Sequence, residues 1–151
     1  MSFYVNEFTI LNAIKTVLDA DSTLGSLLGV VADSSKVILG MERPKKCGSP
    51  VVHLSFLTRN ILEVKTNILL LRVVWFVNAK ATGEEDIETI SEIGERIYDL
   101  LDDHAFTIPG YLVDTFSAES GESSAKDMQE PEGRENHFQS LTFRMAIRRI
   151  S

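Results

Sequence analysis

The chain has 151 residues, 44% hydrophobic and 25% charged, with a formal net charge of −7. That length suits one domain with a real core rather than two, so residues 1–151 are expected to form a single domain. The acidic balance argues against a surface that grips nucleic acid, and no apolar run reaches the roughly 18 residues of a membrane span.

The first ten residues, MSFYVNEFTI, lack a basic segment and a long apolar segment, so no secretory leader is expected. One cysteine, Cys47, cannot make an internal disulfide, which fits a reducing compartment. The first helix is expected to start near Asn6, a competent N-cap, and to run to about Asp19 on the stripe Ile10, Leu11, Ile14, Val17 and Leu18. Asp21 and Ser22 can cap a second short helical turn, TLGSLL, which Gly29 ends in the left-handed manner. Val37, Ile38 and Leu39 read as a short strand, and GMERPKKCGSP as a loop. Residues 51–57 read as a strand with Val52, Leu54 and Phe56 on one face. Over 58–67, Arg59 and Asn60 are expected to turn a hairpin whose tip projects from the sheet.

The strongest pattern runs from Ile68 to Asp103. Leu69, Leu71, Val73, Trp75, Val77 and Ala79 are apolar at period two, while Ile68, Leu70, Arg72, Val74 and Phe76 make a second, mixed face. A strand apolar on both faces for most of its length is central or covered by a partner. Thr82-Gly83-Glu84-Glu85 is a capping box, and Ile87, Ile90, Ile93, Gly94, Ile97, Leu100 and Leu101 then define the buried side of a helix. Glu88, Glu92, Glu95, Arg96 and Asp99 take its wet side. Gly94 on the buried stripe would allow a strand to approach closely.

Residues 111–118 read as a further strand. Residues 119–136 hold no aromatic or β-branched residue, and their six acids and two bases make them net −4. This composition favours a long solvated loop carrying Glu119, Glu122, Asp127, Glu130, Glu132 and Glu135. The closing stretch HFQSLTFRMAIRRI reads as a strand, with Leu141, Phe143, Met145 and Ile147 opposed to Thr142, Arg144, Ala146 and Arg148. The order α, short α, β, β, β, α, β, β suits an α+β fold. It predicts a largely antiparallel sheet with helices packed on one face and the acidic loop between the last two strands.

No catalytic constellation is visible. His53, His104 and His137 are far apart and lack metal-ligand spacing, and His53 in mid-strand reads as structural. Cys47, flanked by Lys45 and Lys46, has no identifiable base partner. The Glu84-Glu85-Asp86 cluster is explained as a helix start. Arg144, Arg148 and Arg149 form a small basic strip suited to solvation or an intersubunit ion pair. No enzymatic activity, cofactor or metal is expected.

The element order and several stretches resemble the tail terminator, or tail-completion, proteins of long-tailed bacteriophages. The similar parts are the N-terminal helix with DADSTLGSLLG, then SPVVHL, LLRVVWFVNAKATGEED, IYDLLDD and HFQSLTFRMAIRRI, which together cover most of the chain. The resemblance implies a ring, usually a hexamer, that caps the finished tail tube and joins it to the neck below the head. The partners it implies are further copies of the chain, the tail tube protein and the neck or head-completion protein. It further implies passive passage of DNA through the lumen and no membrane partner. The implied location is the tail–neck junction of a virion assembled in the host cytoplasm. Arg72, Arg144 and Arg148 are then candidate intersubunit contacts, and the six acids of residues 119–136 a candidate assembly loop. Two other classes fit the residues: a different ring-forming neck or tail protein, such as a head–tail adaptor or tube subunit, and a small accessory enzyme or ligand-binding domain.

Overall fold

Asparagine, aspartate and glycine at the helix ends set the first turns of the fold. The computed structural model describes residues 5–29, 35–40, 51–61, 66–79, 84–124 and 135–150. Helix α1 (Glu7–Asp19) starts where the Asn6 side chain accepts the Thr9 amide at 3.3 Å. Helix α2 (Ser22–Leu28) starts where Asp21 accepts the Leu24 amide at 2.8 Å and stops at Gly29, whose φ is 69°. Strands β1 (Val37–Leu39), β2 (Val51–Ile61) and β3 (Thr66–Ala79) follow, then helix α3 (Glu84–Leu101), β4 (Tyr111–Ser124) and β5 (Glu135–Arg149). The Thr82 capping box lies outside the described residues.

The strands form one sheet in the order β1-β2-β3-β5-β4, antiparallel except for the parallel β1–β2 pair. The fold is α+β, as the alternation of elements implies. The odd-numbered residues of β3 from Leu69 to Trp75 are buried, as are Met145 and Phe143 opposite Leu69 and Leu71, and Ile147 opposite Asn67. All three helices pack on this face: Ile10, Ile14 and Leu18 from α1, Leu24 and Leu28 from α2, and Ile90, Ile93, Ile97 and Leu101 from α3 join the same core. At its centre Trp75 donates its indole N–H to the Ile90 carbonyl at 2.9 Å. Its ring lies where a Cβ on Gly94 would stand, 2.6 Å from the Trp75 Cζ2. The glycine on the buried stripe therefore admits a tryptophan rather than a strand backbone.

Two boundaries differ from the sequence reading. Arg59 and Asn60 do not turn the hairpin; they sit in the ladder opposite Leu69 and Ile68, and β2 continues to Ile61. A β-bulge between Phe56 and Thr58 shifts the phase of the strand, so the simple alternation ends at Leu57 while the backbone pairing goes on. The tip of this hairpin, 62–65, lies outside the described residues. The segment after Ala118 is likewise strand up to Ser124, pairing with Leu141, Ser140, Gln139 and Phe138 after a second bulge between Ala118 and Ser120. Its small polar residues need no burial, because an edge strand gains its ladder hydrogen bonds from the long β5 alone. Glu119 and Glu122 thus belong to β4 and Glu135 to β5. Asp127, Glu130 and Glu132 lie outside the described residues, and with them most of the expected acidic loop.

Helices α2 and α3 are tied by charge. Arg96 donates from Nε to Asp21 Oδ2 at 2.9 Å and from a terminal nitrogen to Oδ1 at 2.6 Å. The Arg96 hydrogen bonds hold the Asp21 carboxyl below its ordinary range; burial opposes them, and the Leu24 amide adds to them. A carboxyl lowered in the folded state stabilises above its unfolded pKa, about 3.9, and loses that contribution as pH falls through the folded value. Asp21→Asn keeps an N-cap oxygen but removes the charge. It is expected to be less stable than wild type at pH 7, with the difference closing as pH falls below about 3.9. Urea unfolding at both pH values measures this, and a gap that does not change with pH overturns it.

Candidate functional site

The face of the sheet turned away from the helices has a mixed character that follows directly from the strand alternation. On β3 it carries Ile68, Leu70, Arg72 and Val74; opposite them on β5 lie Ala146, Arg144, Thr142 and Ser140. Arg144 is directly across from Leu70, and Arg72 is two residues further along β3. Arg148 stands between Thr66 and Leu112 at the end where β3, β5 and β4 meet. The three candidate contact residues Arg72, Arg144 and Arg148 therefore share one helix-free face, whereas Arg149 alternates to the other side. Arg144 is exposed and makes no ion pair among the described residues; Arg148 lies 3.6 Å from Asp114. Around them Leu112 and Ile150 are 41% and 62% exposed, an uncovered apolar border at a sheet end.

The outward face of α3 has the opposite sign. Glu88, Glu92, Glu95 and Asp99 follow at steps of four, three and four residues, which aligns them along one side of the helix. All four are exposed, and Tyr98 beside them is 43% exposed. Arg96, the one base in this stretch, turns to Asp21, so its charge is taken up within the subunit. The sequence showed these acids as a wet side but gave no signal for a shared role, because a solvated stripe and a contact stripe have the same periodicity. The exposed Leu112 and Ile150 were hidden for a similar reason, since strand alternation does not reveal which end of a sheet face is exposed: Val74 and Ser140 on the same face are buried.

The free edge of β4 is partly closed by the end of α3. The Asp103 amide donates to the Phe116 carbonyl at 3.0 Å, and Asp102 Oδ1 accepts the Ala118 amide at 2.9 Å. Asp103 adopts φ 56° to make this return, the left-handed conformation that aspartate tolerates best after asparagine and glycine. These contacts and the two register shifts of β4, between Val113 and Thr115 and between Ala118 and Ser120, protect the edge from indiscriminate strand pairing. A cleft of about 300 Å³ beside it is lined by His104, Phe106, Asp114 and Phe116 among others. His104 meets Phe106 edge-on at 4.5 Å, and the aromatic series continues through Phe116 to Phe143. His104 thus has a packing role here. His53 is buried, with Nδ1 3.1 Å from the Gly40 carbonyl oxygen, which fits the structural reading of that residue. Among the described residues no group of three or more histidine, cysteine, aspartate or glutamate side chains could hold a metal ion. Cys47 lies outside them. No helix among the described residues is long and apolar enough to cross a membrane.

No protein-family model matches the chain, and no curated protein sequence is significantly similar to it. Its fold is similar to that of a chain from the virion of a native gene transfer agent (GTA) particle. The TM-score is 0.61, with 96% of this chain and 98% of the other covered at 14% sequence identity. At that identity the likeness is one of fold.

Proposed function

We propose that the chain is a structural protein of a virion, where it forms a ring that caps the completed tail tube and joins the tail to the neck and head. The observation that carries this reading is the fold likeness to a chain of a gene transfer agent virion along nearly the whole length of both chains. The helix-free sheet face, with its arginines and exposed apolar border, supplies a surface for subunit contact. A hexamer is the ring number the family likeness favours. The tail tube protein, the neck protein and passively moving DNA are the other partners in this reading. The net charge of −7 suits such a passage, since an acidic wall repels phosphates, whereas a basic one would hold them by counterion release. Glu119, Glu122 and Glu135, with Asp127, Glu130 and Glu132, are the acids proposed to line the lumen or to contact a neighbour. The role needs neither catalysis nor a cofactor.

The expected result is a closed ring of fixed mass by light scattering and mass photometry. In particles containing the chain, a tag on it should mark one tail end in several copies. One copy per particle, or a single subunit at all concentrations, overturns the ring. A tag along the whole tube would instead identify a tube subunit, and a tag at the head vertex of tailless particles a head–tail adaptor.

A further inference from the structure

Rings are built from two different surfaces of one chain, each fitting the other on the next copy. The described surface offers one such pair. The acidic stripe from Glu88 through Glu92 and Glu95 to Asp99 covers eleven steps of α3, on the order of 16 Å at the helical rise. The arginines lie along β5 and its neighbour: Arg72 opposite Thr142, then Arg144, then Arg148. From residue 142 to residue 148 is on the order of 20 Å at the rise of a strand. The two lines are thus commensurate, opposite in charge and on separate surfaces of the subunit. Among the described residues Glu88, Glu92 and Glu95 have no ion pair, and neither has Arg144. Apolar groups flank both lines, with Leu70 and Leu112 beside the arginines and Tyr98 beside the acids.

We propose that the helix-free sheet face of one subunit docks on the acidic outer face of α3 of the next, Arg72, Arg144 and Arg148 lying along Glu88, Glu92, Glu95 and Asp99. The occupant of the exposed end of this face, around Arg144, Arg148 and Leu112, is a second copy of this chain; its other end, at Val74, His53 and Ser140, is buried within the subunit. An isologous pairing of two sheet faces would set arginine against arginine, and a pairing of two α3 faces acid against acid. Only the unlike pairing satisfies both, and that pairing is head-to-tail and propagates around a ring. Tyr98, half-exposed among the acids, supplies an aromatic anchor against the apolar border of the sheet. The contact rests on the ring reading above and specifies which surfaces close it.

Two variants test it, each altering exposed side chains only. The sheet variant carries Arg144→Glu and Arg148→Glu; the helix variant carries Glu88→Lys, Glu92→Lys and Glu95→Lys. Each alone presents like charges at every contact and is expected to lose the ring, its mass falling to that of one subunit. Mixed in equal amounts, the two present opposite charges at every contact. They are expected to regain the wild-type mass by alternating around an even-numbered ring. A photo-crosslinker replacing Arg144 in otherwise wild-type protein is expected to capture a peptide from α3 of another subunit. This result does not depend on how the charge variants fold. Variants that each keep the wild-type mass, a mixture that fails to assemble, or capture of a segment other than α3 overturns the contact while leaving the ring in place. Wild-type protein that stays a single subunit at all concentrations, or that occurs as one copy per particle, overturns the ring itself, and the contact with it.

Discussion

Ile97→Asp is expected to abolish stable folding. Ile97 has no exposed surface and sits in the middle of the α3 stripe, within the cluster that joins all three helices to β3 and β5. Losing the isoleucine removes burial worth about 1.5–3 kcal/mol. Placing a carboxylate there without a partner adds several kcal/mol more, even after relaxation and water penetration. A domain with about 5–15 kcal/mol of total stability does not carry both comfortably. The new carboxyl would lower part of its cost by staying protonated. Its folded pKa would then lie above its unfolded one, so the variant should be relatively more stable at low pH and lose stability as pH rises. Urea or thermal unfolding at pH 4 and pH 7 measures this. A variant as stable as wild type at pH 7 would mean that the wrong face of α3 is buried.

That helix face was legible in the sequence because two periodicities meet on either side of it. Leu69 to Trp75 repeat at two, and Ile90, Ile93, Ile97 and Leu101 at three and four, and every member of both sets is buried. The caps at Asn6 and Asp21 and the left-handed Gly29 were equally local, needing only the side chain and the next turn. What could not be read were features that depend on another strand. The ladder partners of Arg59 and Asn60 lie across the hairpin on β3 and those of Ser120–Ser124 on β5, and the composition of those segments alone favours turns and loops. The ion pair of Asp21 with Arg96 bridges 75 residues and has no local signature. The arginines on β5 were visible as a strip, but only the sheet order assigns Arg72 to the same face.

Trp75→Ala is expected to cost about 3–5 kcal/mol, the usual range for deleting a buried aromatic. Trp75 is 2% exposed, contacts α3 at Gly94 and donates its indole N–H to Ile90. The glycine and the tryptophan act as one unit. Glycine in a helix interior is about 1 kcal/mol worse than alanine, so Gly94→Ala would stabilise α3 if the space were open. It is not: the added methyl would lie 2.6 Å from Cζ2 and 3.3 Å from Cε2 of a rigid ring whose N–H is already fixed. Overpacking of this kind costs about 1–3 kcal/mol, which matches or exceeds the gain in propensity, so the single substitution should destabilise or at best be neutral. With Trp75→Ala in place the indole obstruction is gone, and the remaining close atom, Gln139 Oε1 at 3.2 Å, is the end of a flexible side chain that can turn aside. The same Gly94→Ala should then raise stability by about 1 kcal/mol and fill part of the space that the indole vacated. A double-mutant cycle by urea unfolding reads this sign change directly. If Gly94→Ala stabilises the protein equally with and without Trp75, the indole does not set the spacing between α3 and the sheet.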